Sequence, residues 1–241
     1  MANILLIETS TRVCSVGVAI NGQLISLRED FSANYSHSAL LTVFIEEVLA
    51  SANLTIKEVN AVAVSQGPGS YTGLRIGVSA AKGVCYALDV PLIAVDTLKA
   101  MAVQCLEHKK EELQLARHDN FPLLLCPMID ARRMEVYHAL FDVDLNNVLP
   151  TQAKIIDNNS FADLLKNHRL AFFGDGAEKC SGFIQHENAI FFDDVFPSVK
   201  GMLVEALEKL ARRQFVDVAY FEPYYLKDFV AGAPKVKGLF R

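Results

Sequence analysis

The sequence predicts an α/β protein built from two halves, each with the element order βββ-α-β-α-β-α. Short apolar runs typical of buried strands alternate with longer segments whose apolar residues repeat at helical spacing. A similar order recurs after a polar stretch at residues 107–120, although the two halves share no sequence repeat. We therefore expect an N-terminal domain at residues 1–106 and a shorter, less regular C-terminal domain at residues 107–241.

The first half begins with an apolar run at residues 3–8, which predicts a buried strand. Strands at 14–20 and 23–29 flank Asn21-Gly22, a strong hairpin signal. Apolar residues at helical spacing predict a helix at 38–52. A strand at 61–64, a helix at 74–88 and a strand at 92–95 follow. Either Asp96 or Thr97 is expected to cap the next helix.

The second half shows the same pattern less clearly. We predict strands at 123–129, 134–141 and about 152–156, a helix at 161–167 and a strand at 170–173. A short helix, a strand at 189–192 and a helix at 198–213 complete it. Pro223 and Pro234 indicate a mostly irregular C-terminus.

The composition narrows the function classes. Of 241 residues, 51% are apolar, enough for a large core, and the net charge of −5 argues against a basic face that holds nucleic acid alone. No apolar stretch reaches membrane-spanning length, and the first residues lack the cationic region of a signal peptide. Five cysteines without a C-x-x-C motif indicate buried reduced thiols and a cytoplasmic protein. Basic residues near the C-terminus indicate a solvated tail; they are Lys227, Lys235, Lys237 and Arg241.

A glycine-rich segment, residues 65–75, joins the strand at 61–64 to the following helix. Turns of this kind bind phosphate in many α/β proteins. The segment has no lysine at the P-loop position, and Gly67, Gly69 and Gly73 do not match the dinucleotide spacing. A tight strand-to-helix turn, with glycines for positive φ and close packing, remains the alternative.

Two halves of this order resemble the actin/hexokinase/Hsp70 (ASKHA) architecture, in which ATP usually lies in the cleft between the domains. A set of motifs is spread over nearly the whole chain: Leu6-Ile7-Glu8-Thr9-Ser10, Cys14-Ser15-Val16, Ser36-His37-Ser38, Gln66-Gly67-Pro68-Gly69-Ser70-Tyr71-Thr72-Gly73-Leu74-Arg75-Ile76-Gly77, Val95-Asp96-Thr97-Leu98, Ile129-Asp130-Ala131-Arg132 and Glu222-Pro223-x-Tyr225-Leu226. Together these motifs resemble the TsaB (YeaZ) family.

The resemblance implies a non-catalytic scaffold in bacterial tRNA threonylcarbamoyladenosine synthesis, which modifies the adenosine next to the anticodon. It implies pairing with the catalytic paralogue TsaD and with the ATPase TsaE, and a homodimer when the chain is isolated. It also implies contact with tRNA through the complex rather than by this chain alone.

The residues that would carry catalysis in the paralogue are replaced. Thr97 and Met101 stand where TsaD has a metal-binding histidine pair, and no two histidines of this chain are four residues apart. We therefore expect no metal site of that type and no catalytic residue.

The expected nucleotide-binding hairpins, at residues 8–12 and 130–133, lack glycines. A vestigial nucleotide site is therefore expected; its residues are Glu8, Thr9, Asp130, Gly174 and Gly176. We expect no tightly bound cofactor, and ATP or ADP only at the interface of the complex.

Small residues recur every four positions along the helix that follows the glycine-rich segment, at Gly69, Gly73, Gly77 and Ala81. Such a stripe permits close approach of another element, either the chain's own sheet or a partner's helix. Together with the family resemblance, the second interpretation predicts a partner-binding set: Tyr71, Gly73, Arg75, Gly77, Ala80, Ala81, His37 and Leu41.

Several residues in this set have a second interpretation. Arg75 can bind an acidic group of a partner or of its own loop. Tyr71 can be an interface aromatic or fill the loop, and His37 can be a cap or a contact. Structural pairing is expected for Asp130 and Arg132.

Two functions from other classes remain. One is an independent ATPase or kinase of the same fold. The other is a glycoprotease-like peptidase of the M22 type, against which stands the lack of a metal pair and of a convincing Ser-His-Asp or Cys-His arrangement.

Overall fold

A computed structural model of the protein describes residues 2–31, 37–117 and 120–227. The first sheet contains β1 (Asn3–Glu8), β2 (Cys14–Ile20), β3 (Gln23–Asp30), β4 (Ala61–Gly67) and β5 (Leu92–Asp96). The second contains β6 (Leu123–Asp130), β7 (Glu135–Phe141), β8 (Asn147–Ile155), β9 (Arg169–Phe173) and β10 (Ala189–Phe192). The helices are α1 (His37–Ser51), α2 (Tyr71–Leu88), α3 (Thr97–His108), α4 (Lys110–Ala116), α5 (Ala162–Leu165) and α6 (Val199–Ala211).

The two sheets have the same topology. The first runs β3-β2-β1-β4-β5, and the second, read in the same sense, runs β8-β7-β6-β9-β10. In each, the first three strands are antiparallel and the last two join the first in parallel. The predicted α/β class and the recurrence of the strand order in the second half are thereby confirmed as two five-stranded mixed sheets.

β1 is buried on both faces, which accounts for its unbroken apolar sequence. Leu5 and Ile7 point to the side covered by α1 and α2. Ile4 and Leu6 point to the opposite side, where α3 and α6 pack. Because β4 pairs with β1 in parallel and leads into α2, the start of α2 lies beside the carboxyl end of β1, where the candidate site lies.

The second half of the chain also contributes to the first sheet. α6 packs on β1, β2, β4 and β5 and along α3. α3 contacts both sheets, with Leu98 and Met101 in the core of the second one. The boundary at residues 106 and 107 falls within α3 and stays a prediction; α6 lies on the N-terminal sheet despite its late position in the sequence.

Several element boundaries differ from those predicted. The polar stretch at 107–120 contains α4, because its acidic residues lie in the first turn, where a helix favours negative charge. β8 starts at Asn147 instead of 152, and α5 is a single turn. α2 starts at Tyr71, three residues before the predicted start, because the Ser70 side chain accepts a hydrogen bond from the Gly73 amide and caps it.

Other predicted features concern the cysteines, membrane spans and the tail. All five cysteines are buried and unpaired. Within the described ranges, no helix is both long and apolar enough to cross a membrane. Ser36 and most of the basic tail, including Pro234, Lys235, Lys237 and Arg241, lie outside the described residues.

Candidate functional site

A cleft of about 300 Å³ lies where the two halves meet. Its walls come from the segment after β1, the turn between β4 and α2, and the hairpin between β6 and β7. The segment at 224–227 lines it as well. Because β1 and β6 hold equivalent positions in their sheets, the two segments that follow them face each other across the cleft.

The segment after β1 is buried and internally bonded. Glu8, Thr9 and Ser10 are each 0% exposed. The Ser10 amide donates to Glu8 Oε1 at 2.5 Å, and the Thr9 amide donates to Ser65 Oγ at 3.4 Å. Burial raises the pKa of the Glu8 carboxyl, and the hydrogen bonds from Ser10 oppose this rise. The Thr9 and Ser10 amides of this hairpin are thus used within the chain.

The hairpin between β6 and β7 is bonded in the same manner. The Asp130 amide donates to Asp175 Oδ1 at 3.0 Å, and the Arg132 amide donates to Asp130 Oδ1 at 2.8 Å. The Ala131 amide donates to the carbonyl oxygen of Glu135 at 3.1 Å. Lys179 also pairs with the Asp130 carboxylate. The structural pairing predicted for Asp130 and Arg132 is present.

Charge in the cleft is mixed. Burial raises the pKa of Asp175, and the nearby Asp130 charge adds to this, while Arg12 and Lys179 oppose it. The exposed Arg12 guanidinium lies 5.5 Å from the centre of the Phe196 ring. Arg12 and Asp175 were not among the predicted site residues, although both flank predicted positions in the sequence.

The glycines predicted near an adenine position pack against the chain itself. Gly174 has a φ of +101°, and a Cβ there would lie 2.2 Å from the carbonyl oxygen of Met128. A Cβ on Gly176 would lie 2.8 Å from the carbonyl carbon of Ile129. Close approach to β6 therefore explains both glycines without a ligand. The amides of Thr9, Ser10, Asp130, Ala131 and Arg132 are bonded as well, so these five donors are not free to contact a phosphate.

The small-residue stripe of α2 faces inward. A Cβ on Gly77 would lie 2.2 Å from Thr9 Oγ1, and one on Gly69, in the turn just before α2, would lie 2.2 Å from the carbonyl oxygen of Ser10. Ala81 is 0% exposed. The stripe therefore lets α2 approach the chain after β1, which corrects the expectation that the stripe itself is a partner surface.

Some of the other predicted partner-binding residues are buried and some are accessible to solvent. Gly73, His37 and Leu41 are buried; the His37 ring nitrogen Nε2 lies 2.7 Å from the carbonyl oxygen of Thr11. These three are therefore interior residues, which is a further correction. Ala80 is partly accessible, and Arg75 is exposed.

Arg75 lies over an aromatic pair at the start of α2. Its guanidinium is 4.5 Å from the centre of the Tyr71 ring, and the Tyr71 ring is 4.9 Å from that of Tyr225. Interaction with the Tyr225 hydroxyl raises the pKa of Arg75, and the charge of Glu222 adds to this. Arg75 therefore contacts an aromatic ring rather than a carboxylate of its own loop among the described residues, and its contact with an acidic group of a partner stays a prediction.

Thr97 and Met101 both serve the packing of this chain. Thr97 Oγ1 accepts a hydrogen bond from the Gly67 amide at 3.2 Å, and Met101 is 0% exposed. Across residues 2–31, 37–117 and 120–227, no group of three His, Cys, Asp or Glu side chains is placed to hold a metal ion.

The chain is similar in sequence to known proteins over most of its length. Residues 32–234 match the family described as TsaD, tRNA N6-adenosine threonylcarbamoyltransferase. The tRNA threonylcarbamoyladenosine biosynthesis protein TsaB of Haemophilus influenzae is 28% identical over 94% of both chains. The TsaB protein of Bacillus subtilis is 33% identical over 62% of this chain and 60% of that protein.

The fold has a counterpart among solved structures. A Pseudomonas aeruginosa protein described as having similarity to peptidase YeaZ superposes with a TM-score of 0.78. The two are 22% identical, and the match covers 94% of this chain and all of that one. The chain belongs to the TsaD family of tRNA threonylcarbamoyladenosine biosynthesis, within which it groups with the TsaB (YeaZ) proteins.

Proposed function

We propose that the chain is a non-catalytic subunit of a cytoplasmic complex that makes tRNA N6-threonylcarbamoyladenosine. In this proposal it pairs with the catalytic TsaD and with the ATPase TsaE, and tRNA is bound by the complex. The isolated chain forms a homodimer through the surface that binds TsaD, which is the outer face of α2. The shared topology of the two sheets supports an ASKHA-type fold.

The observation that carries the non-catalytic assignment is the state of the two hairpins. In a nucleotide-binding cleft of this architecture, free backbone amides would contact phosphate. Here the amides of Thr9, Ser10, Asp130, Ala131 and Arg132 are all bonded within the chain. The proposal therefore includes no tightly bound nucleotide, and ATP or ADP only at the interface of the complex.

The outer face of α2 is the surface we assign to the partner. Arg75, Ser79, Gly83 and Ala87 are exposed and lie four residues apart, so they share one side of the helix. A Cβ on Gly83 would have no atom within 4 Å. Small exposed residues on this face allow another helix to approach closely, as the inner stripe does for β1.

The test is reconstitution of tRNA modification from purified TsaD, TsaE, threonylcarbamoyl-adenylate and tRNA, with and without this chain. We expect modification only when the chain is present. Gly83→Arg should abolish co-elution with TsaD and prevent self-association measured by light scattering. Gly182→Arg is the matched control, because a Cβ on Gly182 also has open space but lies in the other half. Full modification without the chain, or equal behaviour of the two variants, would contradict the proposal.

A further inference from the structure

A strap at residues 214–227 follows α6 and is anchored to the first half. Val216 pairs with Leu92 at the edge of the first sheet. Lys82 Nζ on α2 donates to the carbonyl oxygens of Ala219 and Phe221 at 3.0 and 2.9 Å. These contacts hold the strap up to residue 221 against β5 and α2.

The end of the strap then crosses the cleft. The Tyr224 amide donates to the carbonyl oxygen of Gln66 at 2.7 Å. The Tyr225 ring lies 4.9 Å from that of Tyr71 in the first turn of α2. Lys227 pairs with Glu135, the first residue of β7 in the second half. Within four residues the strap therefore reaches from the first half to the second, and all four residues line the cleft.

The two ends of this bridge differ in strength. The backbone hydrogen bond and the ring contact lie on the first half. The ion pair to the second half is partly exposed, with 44% of the Lys227 side chain accessible, so its contribution is small and it breaks readily. A contact of this kind can form and break without unfolding either half.

We propose that residues 224–227 form a clasp that sets the opening of the cleft, and that the contact of Tyr225 with Tyr71 on α2 determines how stably the clasp is attached. Tyr71 connects α2 to the clasp because its ring contacts Tyr225 of the clasp and also contacts the Arg75 guanidinium, which lies 4.5 Å from the ring centre. A change at the exposed start of α2 is thereby transmitted to the cleft.

Hydrogen exchange measured by mass spectrometry on the full chain tests this, using the peptide that covers residues 222–227. Lys227→Glu should speed exchange in this peptide about threefold, the size expected for one partly exposed ion pair. The charge-swapped variant Glu135→Lys with Lys227→Glu should restore the wild-type rate. Lys166→Glu, which breaks the exposed pair with Asp163 in the second half, is the control and should leave the peptide unchanged.

A second pair of variants tests the control by α2. Tyr71→Ala should speed exchange in the same peptide about fivefold, whereas Tyr71→Phe keeps the ring contact and should match wild type. Wild-type exchange in Lys227→Glu, or failure of the charge swap to restore it, would overturn the clasp. Faster exchange in Lys227→Glu together with no change in Tyr71→Ala would overturn the link to α2.

Discussion

The Thr9 hydroxyl donates a hydrogen bond of 2.8 Å to the carbonyl oxygen of Gly73, and a Cβ on Gly73 would lie 2.1 Å from the carbonyl oxygen of Thr9. α2 therefore meets the chain after β1 at backbone distance. This contact positions the turn between β4 and α2, and with it one wall of the cleft.

The contact predicts that Gly73→Ala destabilises the fold. The added methyl meets a backbone oxygen that cannot turn away, so we expect a loss of about 1–3 kcal/mol in the free energy of unfolding, measured with urea. Gly83→Ala in the same helix has open space and should stabilise the chain by up to about 1 kcal/mol. Equal effects of the two substitutions would show that α2 does not pack in this way.

The second prediction concerns His138 on β7, which is 0% exposed and lies edge-on to Phe161. Neither ring nitrogen has a hydrogen-bond partner among the described residues. Burial lowers the pKa of His138 from 6.5 to about 4, and the Lys154 charge adds to this. Because the unfolded chain takes up this proton near pH 6.5, stability is lost as the pH falls from 6.5 toward 4.

In His138→Leu, the unfolded chain can no longer take up a proton at residue 138. Between about pH 7.5 and pH 5, wild type should lose about 2 kcal/mol more stability than the variant, measured by urea unfolding at both pH values. Phe161→Leu is the control, since it weakens the same packing without removing a titratable group, and its difference from wild type should not vary with pH. Parallel pH profiles of wild type and His138→Leu would refute the prediction.

A third prediction separates cap from charge at Asp96. Its Oδ1 accepts a hydrogen bond of 2.8 Å from the Lys99 amide and caps α3. Asp96→Asn keeps an acceptor, whereas Asp96→Ala does not, so the Ala variant should be less stable by about 1 kcal/mol in thermal or urea unfolding. If both variants unfold at the same temperature or urea concentration, the cap contributes nothing to stability.

The charge at Asp96 makes the difference in stability between wild type and Asp96→Asn depend on pH. Burial raises the pKa of Asp96 from 3.8 to about 6, and the Glu205 charge adds to this. The folded chain thus holds this proton more readily than the unfolded chain, and wild type gains stability relative to Asp96→Asn as the pH falls from 6 toward 3.8. A constant difference across this range would contradict the raised pKa.

The fourth prediction is that the isolated chain does not bind Mg·ATP with sub-millimolar affinity in a calorimetric titration. The reason is that five amides of the two hairpins, those of Thr9, Ser10, Asp130, Ala131 and Arg132, are bonded within the chain. Tyr225→Ala weakens the clasp but leaves these bonds in place, so it should not bind either. Binding by wild type would favour the independent ATPase, and binding by the variant alone would show that the strap, rather than the hairpins, excludes nucleotide.

The local pattern of elements was largely predictable, because strand and helix periodicity are properties of neighbouring residues. The predicted bounds of β2 and β10 match the structure, as does the hairpin at Asn21-Gly22. The side to which the α2 stripe faces was not predictable. A row of small residues marks close approach on one side of a helix, but spacing does not say what approaches.

The sequence by itself determined the α/β class and the recurrence of the strand order, since both depend on residue type and spacing. The expectation that Thr97 and Met101 replace a histidine pair came from the family resemblance. Only the tertiary structure decided that Gly73 and Gly77 of α2 face Thr9, and that Tyr225 and Lys227 cross the cleft. These contacts join residues far apart in the chain, and their partners are chosen by how the sheets and helices pack rather than by any local preference.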